Sequence, residues 1–315
     1  MQKLVIRHLP SMKKLFVCKI ILILLAISYQ ITKVTAVNAT TMERTTNIDK
    51  YISNVYTQLD FKGSTPLSED VFKKAYKGYL NLLNAGKLNT DKNILTVVDF
   101  SLSSTQKRIW VIDLKAKKIL INDYVAHGQG SGVEYATVFS NTENSHQSSL
   151  GFYITGDIYN GEHGASLHLH GMDNGYNSAA YDRSIVIHGA DYVCTDLIRS
   201  QNYLGRSWGC PAVSNQIVKR LITTVNNGTC LFIYANNKKY LANSYWLNKK
   251  IDHLPEQNVQ DQLMYASDVK KDTVYVYDVS AADLAPAGAH IVALKDEFST
   301  SSSAFQFPLI WKLLP

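Results

Sequence analysis

The sequence predicts a mainly β fold with flanking helices. Seven short runs rich in Val, Ile, Tyr and Phe follow one another through its middle, glycines punctuate them, and helical spacing is confined to three segments. The runs are Ile94–Phe100, Arg108–Leu114, Lys118–Ala126, Leu150–Tyr159, Ala165–His170, Ser184–His188 and Thr229–Ala235. Lys115–Lys117 is short enough to turn a hairpin between the second and third. The first helix is expected at Glu69–Ala85, where Val71, Phe72, Ala75, Tyr79, Leu82 and Leu83 recur at helical spacing; Ser68 stands at the N-cap, Glu69 and Asp70 in the first turn, and Gly86 at the stop. Two later helices are expected at Asp196–Tyr203, before Gly205, and at Asn215–Asn226, between Ser214 and Gly228. Residues 37–67 read as a polar linker, 68–236 as one domain, and 237–315 as an extension of unassigned role that either packs on the domain or stands apart.

The first 36 residues read as an address. A basic stretch ends at Lys19, an apolar core of Ile20 to Ser28 follows, and Val34 and Ala36 offer a signal-peptidase site. The apolar run is shorter than the ~20 residues of a membrane span; the alternative is an uncleaved anchor. Cys18 precedes the apolar run and is badly placed for lipid attachment. An exported protein, with no membrane span once the leader is removed, is the expectation. The leader also explains the charge. Lys3, Arg7, Lys13, Lys14, Lys19 and Lys33 face no acid before Val37, and the remaining 26 Lys and Arg balance 26 Asp and Glu. A neutral body lacks the footprint of a polyanion binder, so nucleic acid is not expected as a partner.

Removing the leader leaves Cys194, Cys210 and Cys230, an odd number in an oxidising compartment, so at least one thiol stays free. Cys194 and Cys230 either pair or are small buried residues. Cys210 is different, because Gly209 and Pro211 put it on a tight turn. Three neighbourhoods stand out: Ile185-Val-Ile-His188-Gly189-Ala-Asp191, Leu204-Gly-Arg206-Ser207-Trp208-Gly209-Cys210-Pro211-Ala212, and the Gly-rich Val125-Ala-His127-Gly128-Gln-Gly130-Ser131-Gly132. A thiol must ionise to attack, and an imidazole held by a third group is the usual base. His188 ends its strand shortly before the Cys210 turn and is the natural partner. Backbone N–H groups around Gly209–Cys210 could hold an oxyanion, and the helix behind Ser214 could add dipole if its first turn lies close. The competing reading is a chance cysteine in a turn beside an unrelated core histidine.

His188-Gly189 followed by Ser207-Trp208-Gly209-Cys210 resembles the active-site signature of the YkuD-type L,D-transpeptidases, in which His-Gly precedes Ser/Thr-His-Gly-Cys. The chain is most similar to the branch of murein L,D-transpeptidase catalytic domain proteins, in Tyr124 to Ala136, Ser149-Leu-Gly-Phe-Tyr-Ile-Thr-Gly156, Ile187 to Tyr192 and Gly205-Arg-Ser-Trp-Gly-Cys-Pro-Ala-Val213. The likeness runs from about Ser68 to Ala235. It implies a β-sandwich-like mixed sheet, Cys210 as acyl-accepting nucleophile, His188 as its base, and the Gly189 carbonyl as the group orienting the ring. It further implies attack on peptidoglycan tetrapeptide stems with release of D-alanine. A second stem's amine would then resolve the thioester into a 3→3 cross-link, or water would resolve it as an L,D-carboxypeptidase. Neither route needs a metal or cofactor. Two positions depart from the pattern. Trp208 replaces the histidine before Gly-Cys, so any carbonyl-polarising role of that side chain is absent or supplied elsewhere, with His127 the candidate. Ala212 replaces the arginine two residues after the cysteine, and Arg206 is the candidate to bind a substrate carboxylate in its stead.

Two other function classes compete. Six of nine histidines fall between His127 and His188, and His168-Leu-His170 puts two imidazoles on one strand face, as a zinc peptidase requires, although no third ligand stands out. Nineteen tyrosines and four tryptophans could serve a non-catalytic wall-binding module, but aromatics also fill β cores.

Overall fold

A computed structural model of the chain describes residues 47–255. The expected leader (1–36), with Cys18, and the later runs Thr273–Val279, His290–Lys295, Ser299–Ser303 and Phe305–Leu314 lie outside the described residues.

Eight strands form one mixed sheet in the order β3-β2-β1-β8-β4-β5-β6-β7. They are β1 (Ile94–Asp99), β2 (Ile109–Asp113), β3 (Lys118–Asp123), β4 (Gly151–Gly161), β5 (Gly164–Gly171), β6 (Val186–Gly189), β7 (Ala212–Val213) and β8 (Cys230–Tyr234). The hairpin β2–β3 forms across Lys115–Lys117, with Lys117 at φ 56. Beside it, β1 pairs antiparallel with β2 and parallel with β8. Every residue of β1 and of β8 is buried, which is why both read as unbroken apolar runs. In β4 a register shift between Thr155 and Ile158 bends the long β4–β5 hairpin. The two-residue β7 was not expected. It exists because β6 needs a parallel neighbour after the cysteine turn, pairing His188 with Ala212 and Gly189 with Val213.

The stretch 37–67 is not simply a linker: a helix, α1, covers residues 47–57 and buries Ile52 and Val55. Its apolar positions, Ile48, Ile52, Val55, Tyr56 and Leu59, keep helical spacing but are thinly spread among polar residues. Helix α2 (Glu69–Asn84) buries Val71, Phe72, Ala75, Tyr76, Tyr79, Leu80 and Leu82. Lys73 pairs with Glu69 at 3.0 Å on its outer side. Ser68 occupies the N-cap without a side-chain capping bond, while Gly86 (φ +63) closes the helix as expected, its N–H donating to Leu83 O. Helix α3 (Thr195–Gln201) ends at left-handed Asn202, ahead of Gly205. Helix α4 (Val218–Val225) starts later than expected, and Ser214 contributes only its carbonyl, which accepts from Ile217 N and Val218 N.

The chain does not leave the domain at residue 236. Helices α5 (Lys238–Asn243) and α6 (Tyr245–Asn248) follow at once, and the described unit runs to Leu254. Buried Asn81 of α2 donates to Trp246 O (2.8 Å) and Lys249 O (2.9 Å). Asp173, after β5, accepts from Ser244 Oγ (2.6 Å) and Tyr240 OH (3.2 Å) as well as from Phe152 N. Among the described residues no helix is long and apolar enough to cross a membrane.

Candidate active site

Two parallel segments bring the sequence candidates together. Strand β6 carries His188 and Gly189; the turn Ser207–Cys210 leads into β7 beside it. Extending the β6–β7 register back by two residues places Cys210 next to Val186, and the sulfur is found there. Val186 N donates to Cys210 Sγ at 3.5 Å, and the thiol donates to Ser184 O at 3.6 Å. His188 lies two residues further along β6, on the same face as Val186.

The imidazole is held by a backbone carbonyl. His188 Nδ1 is 2.9 Å from Gly189 O. A carbonyl only accepts, so Nδ1 carries the proton and Nε2 presents a lone pair. The ring is buried, and His163 from the β4–β5 turn stacks on it with centroids 4.2 Å apart and planes at 21°. Burial pushes the His188 pKa down and His163 adds to this, while the Gly189 carbonyl works against them. Burial pushes the Cys210 thiol up, with the Val186 N–H and the Arg183 charge pulling back. Both shifts favour the uncharged forms, a neutral thiol and a neutral imidazole.

The turn is fastened by Ser207. Its Oγ donates to Cys210 O at 2.6 Å and accepts from Gly209 N at 3.1 Å. Its backbone joins the Gly-rich loop: Ser207 N donates to His127 O, and Gln129 N to Ser207 O. Gly209 sits at φ +121, where a Cβ would come 2.8 Å from Gln147 O, so only glycine makes this turn. Ser148 Oγ ties both segments, donating to Gly209 O (3.1 Å) and accepting from Gly128 N (3.0 Å). One expectation changes here. The Gly209 N–H is already given to Ser207, which leaves Cys210 N–H, without an acceptor among the described residues, as the backbone donor of the turn that an oxyanion could meet.

Three further expectations meet different surroundings. His127 cannot polarise a substrate carbonyl, because it is fully buried; its Nδ1 accepts from Arg108 Nη2 at 2.8 Å. Burial, with the Arg108 charge second, pulls its pKa down to about 3, so it stays neutral. Arg206 donates to Gly132 O (3.1 Å) and lies over the Tyr203 ring, so its guanidinium braces the Gly-rich loop. Trp208, 71% exposed, stacks on His146 with centroids 4.9 Å apart. It stands as an open ring face beside the cysteine.

Cys194, Cys210 and Cys230 are all free. Cys230 is buried inside β8, and burial raises its pKa. His168 and His170 do share a strand face, but they stack on Tyr159 and Tyr181 respectively, and His168 Nδ1 meets Asp157 at 2.9 Å. No group of three or more His, Cys, Asp or Glu side chains forms a ligand set among the described residues. Sequence reasoning missed His163, whose Gly-bounded turn lies far from His188 in the chain, and Arg183, whose only sequence cue is its place just ahead of β6.

The sequence of residues 64–234 matches the family model of the L,D-transpeptidase catalytic domain. No curated protein matches. Among solved structures, an L,D-transpeptidase from Mycobacterium smegmatis aligns at 13% identity and a TM-score of 0.28, over 45% of this chain and 59% of that one. An L,D-transpeptidase from Xylanimonas cellulosilytica aligns at 13% identity and 0.28, over 60% and 93%. One from Stackebrandtia nassauensis aligns at 12% and 0.29, over 60% and 92%. The chain thus spans less than two thirds of the Mycobacterium smegmatis protein, and the family match, not the superpositions, carries the assignment.

Proposed function

The chain belongs to the L,D-transpeptidase catalytic domain family, and from that premise we propose that it is an exported, cysteine-dependent acyltransferase of peptidoglycan stem peptides. The observation that carries the reading is the pinned His188 tautomer on the strand whose Val186 N–H touches Cys210 Sγ. With Nδ1–H committed to Gly189 O, Nε2 is the nitrogen able to take the thiol proton. The sulfur then attacks the carbonyl of the third stem residue, and the oxyanion develops toward Cys210 N–H. When the tetrahedral adduct collapses, the C–N bond to D-alanine breaks and His188 returns its proton to the departing amine. The thioester is resolved by the side-chain amine of a second stem, giving a 3→3 cross-link. Water in place of that amine yields a tripeptide. No metal or organic cofactor enters either route. Exposed Trp208, stacked on His146, offers an apolar wall along which the stem can lie.

The test incubates the purified protein and its Cys210→Ala variant with tetrapeptide muropeptides and reads the products by mass spectrometry. Loss of terminal D-alanine with wild type alone supports the thiol route, and loss that persists in the variant refutes it. Cross-linked dimers identify transfer; tripeptide alone identifies hydrolysis. Export is checked by N-terminal sequencing of the secreted product, expected to begin at Val37.

A further inference from the structure

Arg183 occupies an unusual position for a cation. It precedes β6 and is half-buried, and both terminal nitrogens of its guanidinium are spent on one loop. Nη1 donates to Ser140 O (2.9 Å) and Ser149 Oγ (2.6 Å), and Nη2 to Gln147 O (2.9 Å) and Ser145 Oγ (3.2 Å). All four acceptors are neutral, and among the described residues no carboxylate pairs with it. The hydrogen bonds fix the fork without cancelling its charge. That charge is aimed at the cysteine turn: a Cβ built on Gly209 would lie 3.5 Å from Arg183 Nη2, and Cys210 follows directly. A half-buried cation without a counter-ion gains from an anion that forms next to it. The anion that can form there is the Cys210 thiolate.

We propose that Arg183 is the fixed counter-charge of the Cys210 sulfur, a positioning residue that holds the 140–149 loop with neutral acceptors and keeps its full charge for the thiolate. The inference rests on reading Cys210 as the nucleophile. It names the charge that offsets part of the burial that pushes the Cys210 thiol up. The other titratable and charged groups near the sulfur do not supply the charge. His188 is buried, His163 stacks behind it, His146 lies against Trp208, and Tyr192 is held neutral by burial.

The experiment is the pH dependence of iodoacetamide alkylation in the purified protein, read at the Cys210 peptide by mass spectrometry so that Cys194 and Cys230 do not interfere. Arg183→Gln removes the charge and the clamp together. Ser145→Asp keeps the clamp but sets a carboxylate against the guanidinium. Both are expected to raise the Cys210 midpoint by about one pH unit, the lower end of what an adjacent opposite charge confers. Arg183→Lys keeps the charge without the fork, and its midpoint is expected between those of wild type and Arg183→Gln. An unchanged midpoint in both Arg183→Gln and Ser145→Asp would overturn the proposal and leave Arg183 a loop clamp; if Arg183→Gln does not fold, Ser145→Asp decides alone. The titration reads the thiol whether or not it is catalytic, so a Cys210→Ala variant that kept its activity would sink the parent reading separately.

Discussion

Cys210 and His188 are both displaced toward neutrality, and this has a kinetic signature. A base must be unprotonated to accept the thiol proton, so activity is lost as pH falls through the His188 pKa. Burial holds that pKa below the ordinary imidazole value of 6.5. The acid limb of kcat/KM for D-alanine release is therefore expected below pH 6.5, and a limb at or above 7 would contradict the assignment of His188 as base. Ser207 is the second residue whose loss is calculable in kind. Its hydroxyl satisfies both Gly209 N–H and Cys210 O in a buried turn. Ser207→Ala strands both groups, and a destabilisation of roughly 1–3 kcal/mol is expected in urea unfolding. Because the same bonds aim the Cys210 N–H, kcat should fall by about tenfold or more while KM changes less.

Helix α2 lies so close to β4 that Gly78 has no room for a methyl group: a Cβ there would fall 1.9 Å from Cζ of Phe152, itself buried and stacked on Phe232 at 4.3 Å. Propensity alone would make Gly78→Ala stabilising by about 1 kcal/mol; overpacking should reverse the sign and cost about 1–3 kcal/mol net, as a drop in the urea midpoint. Helices α5 and α6 make a parallel case. Truncation after Asn236 takes Tyr240 OH and Ser244 Oγ from Asp173 and strips the acceptors from Asn81. The truncated chain should lose several kcal/mol, and one that melted at the full-length temperature would show the two helices to be dispensable. These elements mark where the sequence could be read and where it could not. The seven β runs were plain because alternation and apolar runs are local, and the His188–Gly189 and Cys210 motifs stood out by residue type and by their resemblance to a known family. Helix α1 was missed because its apolar stripe is sparse. The packing of residues 238–254 stayed one of two alternatives because it depends on Asn81 and Asp173, distant in the chain. Helix α4 starts at Val218 rather than Asn215, whose side chain donates to Asp191. His127 was misplaced because a motif histidine in a glycine loop looks the same in sequence whether it faces substrate or Arg108.

The whole molecule keeps several ionisable groups inside its core, and they make folding depend on pH. Arg108 is fully buried, donating to Val125 O and Leu102 O as well as to His127, and burial lowers its pKa to about 9. Buried, and next to that cation, His127 tolerates no second charge. Its folded pKa of about 3 lies below the ordinary 6.5, so the unfolded chain binds a proton across the interval that the folded one refuses. The stability associated with neutral His127 is thus complete above pH 6.5 and is lost as pH falls from 6.5 toward 3, at up to about 1.4 kcal/mol per pH unit. Asp99 and Asp173 act the other way, since burial raises both and favours the fold as they protonate. His127→Asn separates the contributions: its amide oxygen can still accept from Arg108 but does not titrate, and the two carboxyls are left unchanged. Urea midpoints of wild type and variant between pH 7 and 4.5 should converge as the wild type loses on the order of 2 kcal/mol more. Curves that stay parallel over that range would mean that His127 takes up its proton without opening the core, and that the Arg108 cation does not govern it.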